Sequence, residues 1–168
     1  MNRPPLDSEW QLPPPQGRFG AVRKFDVHTG VDLYCEPGAT VLALENGLVV
    51  DIIDFTGPEA GSPWWNATKA ILVEGQMGCI LYGEVSASVV VGQRVQAGEA
   101  IGEVVTVLKK NKGLPMTMLH LELYPNGWRT AVEWPLGEPK PDVLHDPTAL
   151  LLLPCADSSC TRSLCPLT

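Results

Sequence analysis

Two short stretches hold the residue types that can do chemistry. Residues 28–32 read HTGVD, and residues 118–122 read MLHLE. Together they offer two imidazoles and a carboxylate, which are nitrogen and oxygen ligands that Zn²⁺ accepts. Three protein ligands leave the fourth tetrahedral position open, as in catalytic rather than structural zinc sites. The two stretches therefore offer a three-ligand set for Zn²⁺, provided that the fold brings them together.

Residues 118–124 have the pattern of a strand, in which neighbouring side chains point to opposite faces, and residues 28–35 have that of a loop running into a strand. In an extended chain His28 and Asp32 share one side, and three apolar residues share the other: Val31, Leu33 and Cys35. In residues 118–124 the leucines are predicted to face the core, and the residues between them to face away from it: Met118, His120 and Glu122. Glu122 is then either a partner that orients His120 or an ordinary solvated acid.

The scaffold around these stretches is predicted to be all-β, a small antiparallel sandwich or barrel, because turn signals recur and helical periodicity is absent. A short strand is expected at residues 17–22, and the Asn-Gly at 46–47 predicts a hairpin of residues 40–44 and 48–53. Further strands are expected at the ranges 70–73 and 79–82, which form a second hairpin, and at 118–124. Residues 129–144 should be irregular with a short strand at 130–134, and residues 148–153 a last strand or helical turn.

The chain is expected to hold one domain, residues 18–153. Residues 1–17 contain five prolines and are predicted to form an extended arm that Trp10 docks to the body. Residues 154–168 carry the last three cysteines at a spacing that matches no standard zinc motif, and are expected to be a mobile tail: Cys155, Cys160 and Cys165. The remaining two, Cys35 and Cys79, are predicted to be buried thiols, although a disulfide between them remains open.

Composition excludes several classes of protein. The net charge of −7 argues against a nucleic-acid surface, and no apolar run approaches the length of a membrane span. Residues 1–15 lack the apolar segment of a signal peptide. The chain is thus expected to be cytoplasmic or exported by another route, unless the sequence is a mature form.

The adjacent Trp64 and Trp65 lie in a loop predicted for residues 56–68. Two interpretations are open for them. One indole can cap the edge of the sheet, or the pair can form a wall of a binding groove.

Five motifs, in order, resemble the lysostaphin/LytM-type zinc peptidases, which cleave cross-links in bacterial cell-wall peptides. Residues 28–33 resemble the family's H-x-G-x-D motif, and residues 38–49 its following hairpin. Residues 91–102 resemble its V-x-x-G-x-x-V-x-x-G-x-x-I-G segment, residues 119–122 the end of its H-x-H-x-E strand, and residues 146–147 its D-P. The resemblance implies the duplicated hybrid motif fold and zinc ligation by His28, Asp32 and His120.

The chain departs from this family at two catalytic positions. Met118 stands where the family has the first histidine of H-x-H, and Glu84 corresponds to the histidine of its Y-x-H segment. A thioether cannot usefully exchange a proton, so the resemblance implies retained metal ligands without the family's catalytic histidines. The pattern is partly similar to the leukocyte cell-derived chemotaxin branch, which acts by binding.

The first functional hypothesis is therefore a zinc-binding module with weakened or lost peptidase activity. Its ligand would be a peptide, a peptidoglycan-like molecule or a protein partner. The alternative is an active endopeptidase on glycine-rich or cell-wall peptides, in which Glu84 is the base. Tyr34 or Tyr82, predicted to line the groove, would then donate a hydrogen bond to the oxyanion.

A third hypothesis needs no metal. Residues 91–98 also resemble half of a biotinyl or lipoyl carrier, or of a sugar-phosphotransferase IIA domain. A carrier would modify a lysine near residues 109–112, and a phosphotransferase would phosphorylate His28 or His120.

Overall fold

The computed structural model describes residues 4–7, 10, 13–113 and 115–152. Within these residues one open sheet contains eight strands: β1 (Val31–Tyr34), β2 (Thr40–Leu42), β3 (Gly47–Thr56), β4 (Thr68–Gly75), β5 (Gly78–Ala87), β6 (Arg94–Val95), β7 (Ala100–Val104) and β8 (Met118–Tyr124). Single 3₁₀ turns occur at Pro15–Gly17 and Pro58–Ala60, and α1 spans Thr148–Leu152. The all-β prediction is confirmed.

The order of strands brings distant parts of the chain together. The sheet runs β1-β8-β5-β4-β3-β6, and β7 joins β5 to β2. Every pairing is antiparallel. Because β8 lies between β1 and β5, His120 stands opposite Asp32 on one side and Gly83 on the other.

One of the two predicted hairpins forms. β4 and β5 pair from Gly75 and Gly78 onward, as predicted. The hairpin at residues 46–47 is wrong, because β2 pairs with β7 and β3 pairs with β4 and β6. Asn46 instead accepts a hydrogen bond from the backbone N–H of Ala97 at 2.8 Å. A Cβ on Gly47 would lie 2.6 Å from the carbonyl oxygen of Glu74, so this glycine permits close strand approach rather than a turn.

Two other expected strands are absent from the described residues. Residues 17–22 form only a bridge between Val22 and Val27, and residues 130–134 are irregular. Prolines at 135, 139 and 141 follow the latter segment and cannot donate to a ladder. Of the two alternatives predicted for residues 148–153, a strand or a helical turn, the structure has the helical one, α1.

Both faces of the central strands are buried. The larger core contains the leucines of β8 on the face predicted for them, with Val31 and Leu33 of β1. The opposite face is covered by residues 128–144 and packs into a second core, whose buried members are Ala70, Leu72, Cys79, Leu81, Tyr124 and Leu144. The residues of β8 that alternate with the leucines therefore do not face solvent. They would face solvent if the sheet had a core on one face alone.

The N-terminal residues pack onto the domain. Leu6 is buried against Val41, and the N–H of Leu42 donates to the carbonyl of Pro5 at 2.8 Å. Trp10 packs against the larger core, as predicted. The expected extended arm is wrong at Pro15–Gly17, which forms a 3₁₀ turn.

Cys35 and Cys79 carry free thiols, and burial raises the pKa of each to about 11. The tail at 154–168 lies outside the described residues. Within the described part of the chain, no helix has the length and apolar character needed to cross a bilayer.

Candidate metal centre

Three side chains from two distant stretches of the chain converge at the β1–β8 pair. Nε2 of His28 lies 3.3 Å from Nδ1 of His120 and 3.2 Å from Oδ1 of Asp32. The same Nδ1 and Oδ1 atoms are 2.7 Å apart. All three residues are buried, and they form a group able to hold a metal ion.

The donor set fits zinc. Zn²⁺ binds imidazole nitrogen and carboxylate oxygen at about 2.0–2.1 Å in a tetrahedron, so its ligand atoms should be about 3.3 Å apart. The two separations from His28 match this value. The shorter contact between His120 and Asp32 is a hydrogen bond that needs to lengthen by about 0.6 Å to meet the same geometry.

A glycine allows β1 and β8 to approach so closely. A Cβ on Gly30 would lie 2.8 Å from two ring atoms of His120 and would also collide with the carbonyl oxygen of Leu121. Gly30 is buried immediately before β1, between His28 and Asp32 in the sequence. Any larger residue here would push the ring of His120 away from the other two side chains.

The hydrogen bonds of His28 fix its tautomer. Nδ1 lies 2.9 Å from the carbonyl oxygen of Arg18. A carbonyl can only accept, so Nδ1 carries the proton and Nε2 presents its lone pair to the centre.

The buried carboxylate of Glu122 orients His120 through Nε2, so that Nδ1 faces the centre. Oε1 of Glu122 accepts from Nε2 of His120 at 3.0 Å and from the hydroxyl of Thr29 at 2.6 Å. Oε2 of Glu122 accepts from the hydroxyl of Tyr124 at 2.5 Å. Glu122 is 1% exposed, so the alternative of a solvated acid is wrong. Such partners orient ligating histidines and leave the other ring nitrogen for the metal.

Asp32 also has an outer partner, which the sequence did not indicate. Nη2 of Arg23 donates to Oδ2 of Asp32 at 3.0 Å and to the carbonyl oxygen of Gln16 at 3.1 Å. Arg23 lies in the loop before His28, and no periodicity or motif singles it out. The contact depends on the path of that loop, which only the fold defines.

Asp32 and His120 shift each other's ionisation. Burial alone would raise the pKa of Asp32, but hydrogen bonds to His120 and His28 hold it well below its usual value. Burial alone would lower the pKa of His120, but hydrogen bonds to Asp32 and Glu122 raise it to about 10. The cluster therefore stabilises an imidazolium between two carboxylates.

Glu84 stands apart from these hydrogen bonds. Lys69 pairs with Val85 and Ala70 with Gly83, so Glu84 is the extra residue of a bulge in β5. Its φ of 64° lies in the left-handed region that residues other than glycine rarely adopt. Its Oε2 is buried with no hydrogen-bond partner among the described residues. Burial, and then the charge of Asp32, raise the pKa of Glu84 to about 8.

The other residues singled out from the sequence have different surroundings. Met118 is buried at the start of β8, opposite Tyr34. Tyr34 is partly exposed with its hydroxyl close to Gly17, and burial and Asp32 raise its pKa. The groove prediction is wrong for Tyr82, which is fully buried with its hydroxyl accepting from the N–H of Leu44.

Trp64 and Trp65 lie on a separate loop. Their ring centroids are 6.0 Å apart in an edge-to-face arrangement, and Trp65 forms an isolated antiparallel β-bridge with Leu108. Trp64 is 63% exposed. A groove role for this pair stays a prediction.

The metal-free hypotheses find little support in this geometry. The inner ring nitrogens of His28 and His120 lie 3.2 Å and 2.7 Å from Oδ1 of Asp32, so a phosphoryl group on either ring would meet this carboxylate, whereas a metal cation would be attracted by it. Residues 109–112 connect β7 to β8, which are not paired, so the lysines there do not occupy a hairpin tip.

Comparison with known proteins gives one family. The sequence profile of peptidase family M23 matches residues 26–132, which include all three converging side chains. No curated protein sequence matches the chain significantly.

Solved structures of this family have the same fold. A Pseudomonas aeruginosa protein assigned to peptidase M23 superposes with a TM-score of 0.53 at 20% identity, over 90% of this chain and 50% of its own. The catalytic domain of the antimicrobial peptidase lysostaphin from Staphylococcus simulans superposes with a TM-score of 0.52 at 20% identity, over 87% of this chain and 91% of its own. A mutant of the catalytic domain of the prophage-encoded M23 protein EnpA from Enterococcus faecalis superposes with a TM-score of 0.52 at 22% identity, over 74% of this chain and 87% of its own. The chain thus spans about half the length of the first relative and most of the other two.

Proposed function

Because this chain belongs to peptidase family M23, we propose that His28, Asp32 and His120 hold one Zn²⁺ and that the domain acts as a zinc-dependent peptide-binding module. The observation that carries the proposal is the convergence of Nε2, Oδ1 and Nδ1 within 3.3 Å. The outer hydrogen bonds support it, because each leaves the inner atom of its side chain available to a metal.

Met118 favours binding over hydrolysis. It occupies the position at which the resemblance places a catalytic histidine, and its thioether neither accepts nor donates a proton at neutral pH. Met118 is also buried, at 7% exposure, and shares a face of β8 with His120, so it places an apolar side chain rather than a polar group on that face. A peptide can bind there through its carbonyl oxygen without being cleaved.

The ligand class follows from the resemblance. The lysostaphin/LytM-type peptidases act on cell-wall peptides, so a peptide of that kind is the first candidate ligand. A protein partner presenting an extended segment is the other. Retention of zinc would then serve to bind and orient a peptide carbonyl.

The test is the zinc content of protein purified without a metal-binding tag, with His120→Ala as the variant. His145→Ala is the matched control, because His145 is exposed and is not a member of the group able to hold a metal ion. We expect about one zinc per chain in the parent and the control and none in His120→Ala, by elemental analysis. Absence of zinc from the parent after reconstitution would contradict the proposal.

A second candidate is an active zinc endopeptidase with Glu84 as general base. The bulge in β5 and the unpartnered Oε2 favour it, because bulges next to active sites re-aim side chains. A bound zinc would supply a Lewis acid that polarises the scissile carbonyl and makes water more acidic. In its deprotonated form, which predominates above its pKa of about 8, Glu84 would take a proton from the attacking water as the C–O bond forms, and return it to the amine as the C–N bond breaks.

Cleavage of glycine-rich and cell-wall peptides by the zinc-loaded protein separates the two candidates. Glu84→Gln should abolish turnover if Glu84 is the base, while Glu103→Gln, on an exposed site of β7, should leave it unchanged. Peptide binding without cleavage supports the binding module. Turnover that survives Glu84→Gln removes the assigned base.

A further inference from the structure

The outer contacts of two of the three converging side chains lead to the same short segment. Nδ1 of His28 donates to the carbonyl of Arg18. Oδ2 of Asp32 accepts from Arg23, whose same nitrogen donates to the carbonyl of Gln16. Residues 16–18 are therefore hydrogen-bonded to His28 directly and to Asp32 through Arg23, although the sequence assigned most of them to an arm outside the domain.

Building on the proposed zinc site, we propose that Arg23 is a positioning residue of that site and that it makes residues 16–18 part of the metal centre. Arg23 bridges a buried carboxylate and a backbone carbonyl through one nitrogen, at 3.0 Å and 3.1 Å. The bridge holds Oδ2 of Asp32 outward, so that Oδ1 faces the two histidines. Without it, the carboxylate is free to rotate or to offer both oxygens.

The fixed charge of Arg23 has two opposing effects on a metal cation. It repels the cation, but it also orients the ligand. The repulsion is weakened by water, because the side chain of Arg23 is 38% exposed. The carboxylates of Asp32 and Glu122 further offset it. The hydrogen bond to the buried Asp32, only 6% exposed at its side chain, is screened much less, so orientation should win.

Close packing ties the segment to Asp32 as well. A Cβ on Gly17 would lie 2.8 Å from Cβ of Pro13, 3.0 Å from the hydroxyl of Tyr34 and 3.4 Å from Cβ of Asp32. Position 17 thus has no room for a side chain between the segment and β1. A methyl group there would press the segment away from Asp32 and lengthen the bridge from Gln16.

The experiment measures the zinc dissociation constant of the full chain by competition with a chromophoric chelator. We expect Arg23→Gln to weaken zinc binding about 10–100-fold, the usual effect of losing an outer partner. Arg23→Lys should restore part of the affinity, because an ammonium can still pair with Oδ2. Arg94→Gln, which changes an exposed arginine on β6, is the matched control and should bind zinc as the parent does.

Gly17→Ala tests the segment independently and should also weaken zinc binding while leaving Arg23 in place. The melting temperature of each chelator-treated variant shows whether the fold is intact, and a structural role alone would lower it without changing the zinc affinity of the folded protein. An Arg23→Gln protein that binds zinc within about twofold of the parent would overturn the inference. A parent that binds no zinc would instead overturn the proposed function, so the two failures are distinguishable.

Discussion

At the scale of single residues, His120 is the most constrained group of the centre. Its ring lies between Asp32 and Glu122, and hydrogen bonds to both raise its pKa to about 10. The proton on Nδ1 occupies the position that a zinc ion needs. Zinc and this proton must therefore compete.

We predict that zinc uptake at pH 7 releases about one proton per ion from His120. Affinity should rise about tenfold per pH unit below the pKa of about 10, because the competing proton is lost more easily. Calorimetry in buffers of different ionisation enthalpy measures the released protons. Zinc uptake without proton release would show that His120 is neutral before the ion binds.

Glu84 predicts a second pH effect. Its pKa is raised from 4.5 to about 8, so the folded state favours the protonated acid. Stability from this group is fully present below the unfolded value and is lost as the pH rises toward 8.

Glu84→Gln should therefore raise the melting temperature of chelator-treated protein by a few °C at pH 8–9, and by little near pH 4. Thermal unfolding followed by circular dichroism at both pH values is the measurement. Glu103→Gln serves as the exposed control. An equal effect at both pH values would mean that Glu84 is not held in its protonated form.

At the scale of elements, the β1–β8 pair builds the centre. β1 is the edge strand, and its register places Asp32 opposite His120. Gly30 makes the close approach possible, since a Cβ there would lie 2.8 Å from the ring of His120.

We predict that Gly30→Ala lowers the free energy of unfolding by about 1–3 kcal/mol and abolishes zinc binding. Denaturant unfolding and elemental analysis check the two parts. Gly38→Ala is the control, because a Cβ at position 38 meets nothing within 4 Å, although its φ of 79° is strained. Loss of zinc from both variants would show that global instability, not the β1–β8 contact, is responsible.

At the scale of the whole molecule, the metal would link an edge strand to the middle of the sheet. Asp32 lies on β1, and His120 lies on β8 between β1 and β5. An ion held by both ties the edge to strands that are buried on both faces.

Chelation should therefore lower the melting temperature. With free zinc at about 100 times its dissociation constant, the ion contributes about 2.7 kcal/mol, or about 5–10 °C for a chain of this size. Differential scanning calorimetry with and without chelator measures the shift, and His120→Ala should show none. A parent that melts equally in both conditions would contradict a folding role for the ion.

Features that depend on local alternation and residue type could be predicted from the sequence. The period of two in residues 118–124 placed the leucines on one face and His120 with Glu122 on the other. The β4–β5 hairpin also followed from local signals, two apolar runs joined by a glycine-bounded turn. The residue types at 28–32 and 118–122 offered a possible ligand set, and the resemblance to the LytM-type peptidases named His28, Asp32 and His120 before any geometry was known.

Features that depend on strand order and on packing between distant segments required the folded structure. The Asn-Gly at 46–47 has the local pattern of a hairpin turn, but β2 pairs with β7 and β3 pairs with β4 and β6, so no hairpin forms there. Burial of the second face by residues 128–144 turned Glu122 from a solvated acid into a buried hydrogen-bond acceptor. Arg23 and Glu84 reach the centre through a loop path and a bulge, neither of which has a periodic signature. Long-range pairing is chosen by the total burial of the whole sheet, which no short window of residues contains.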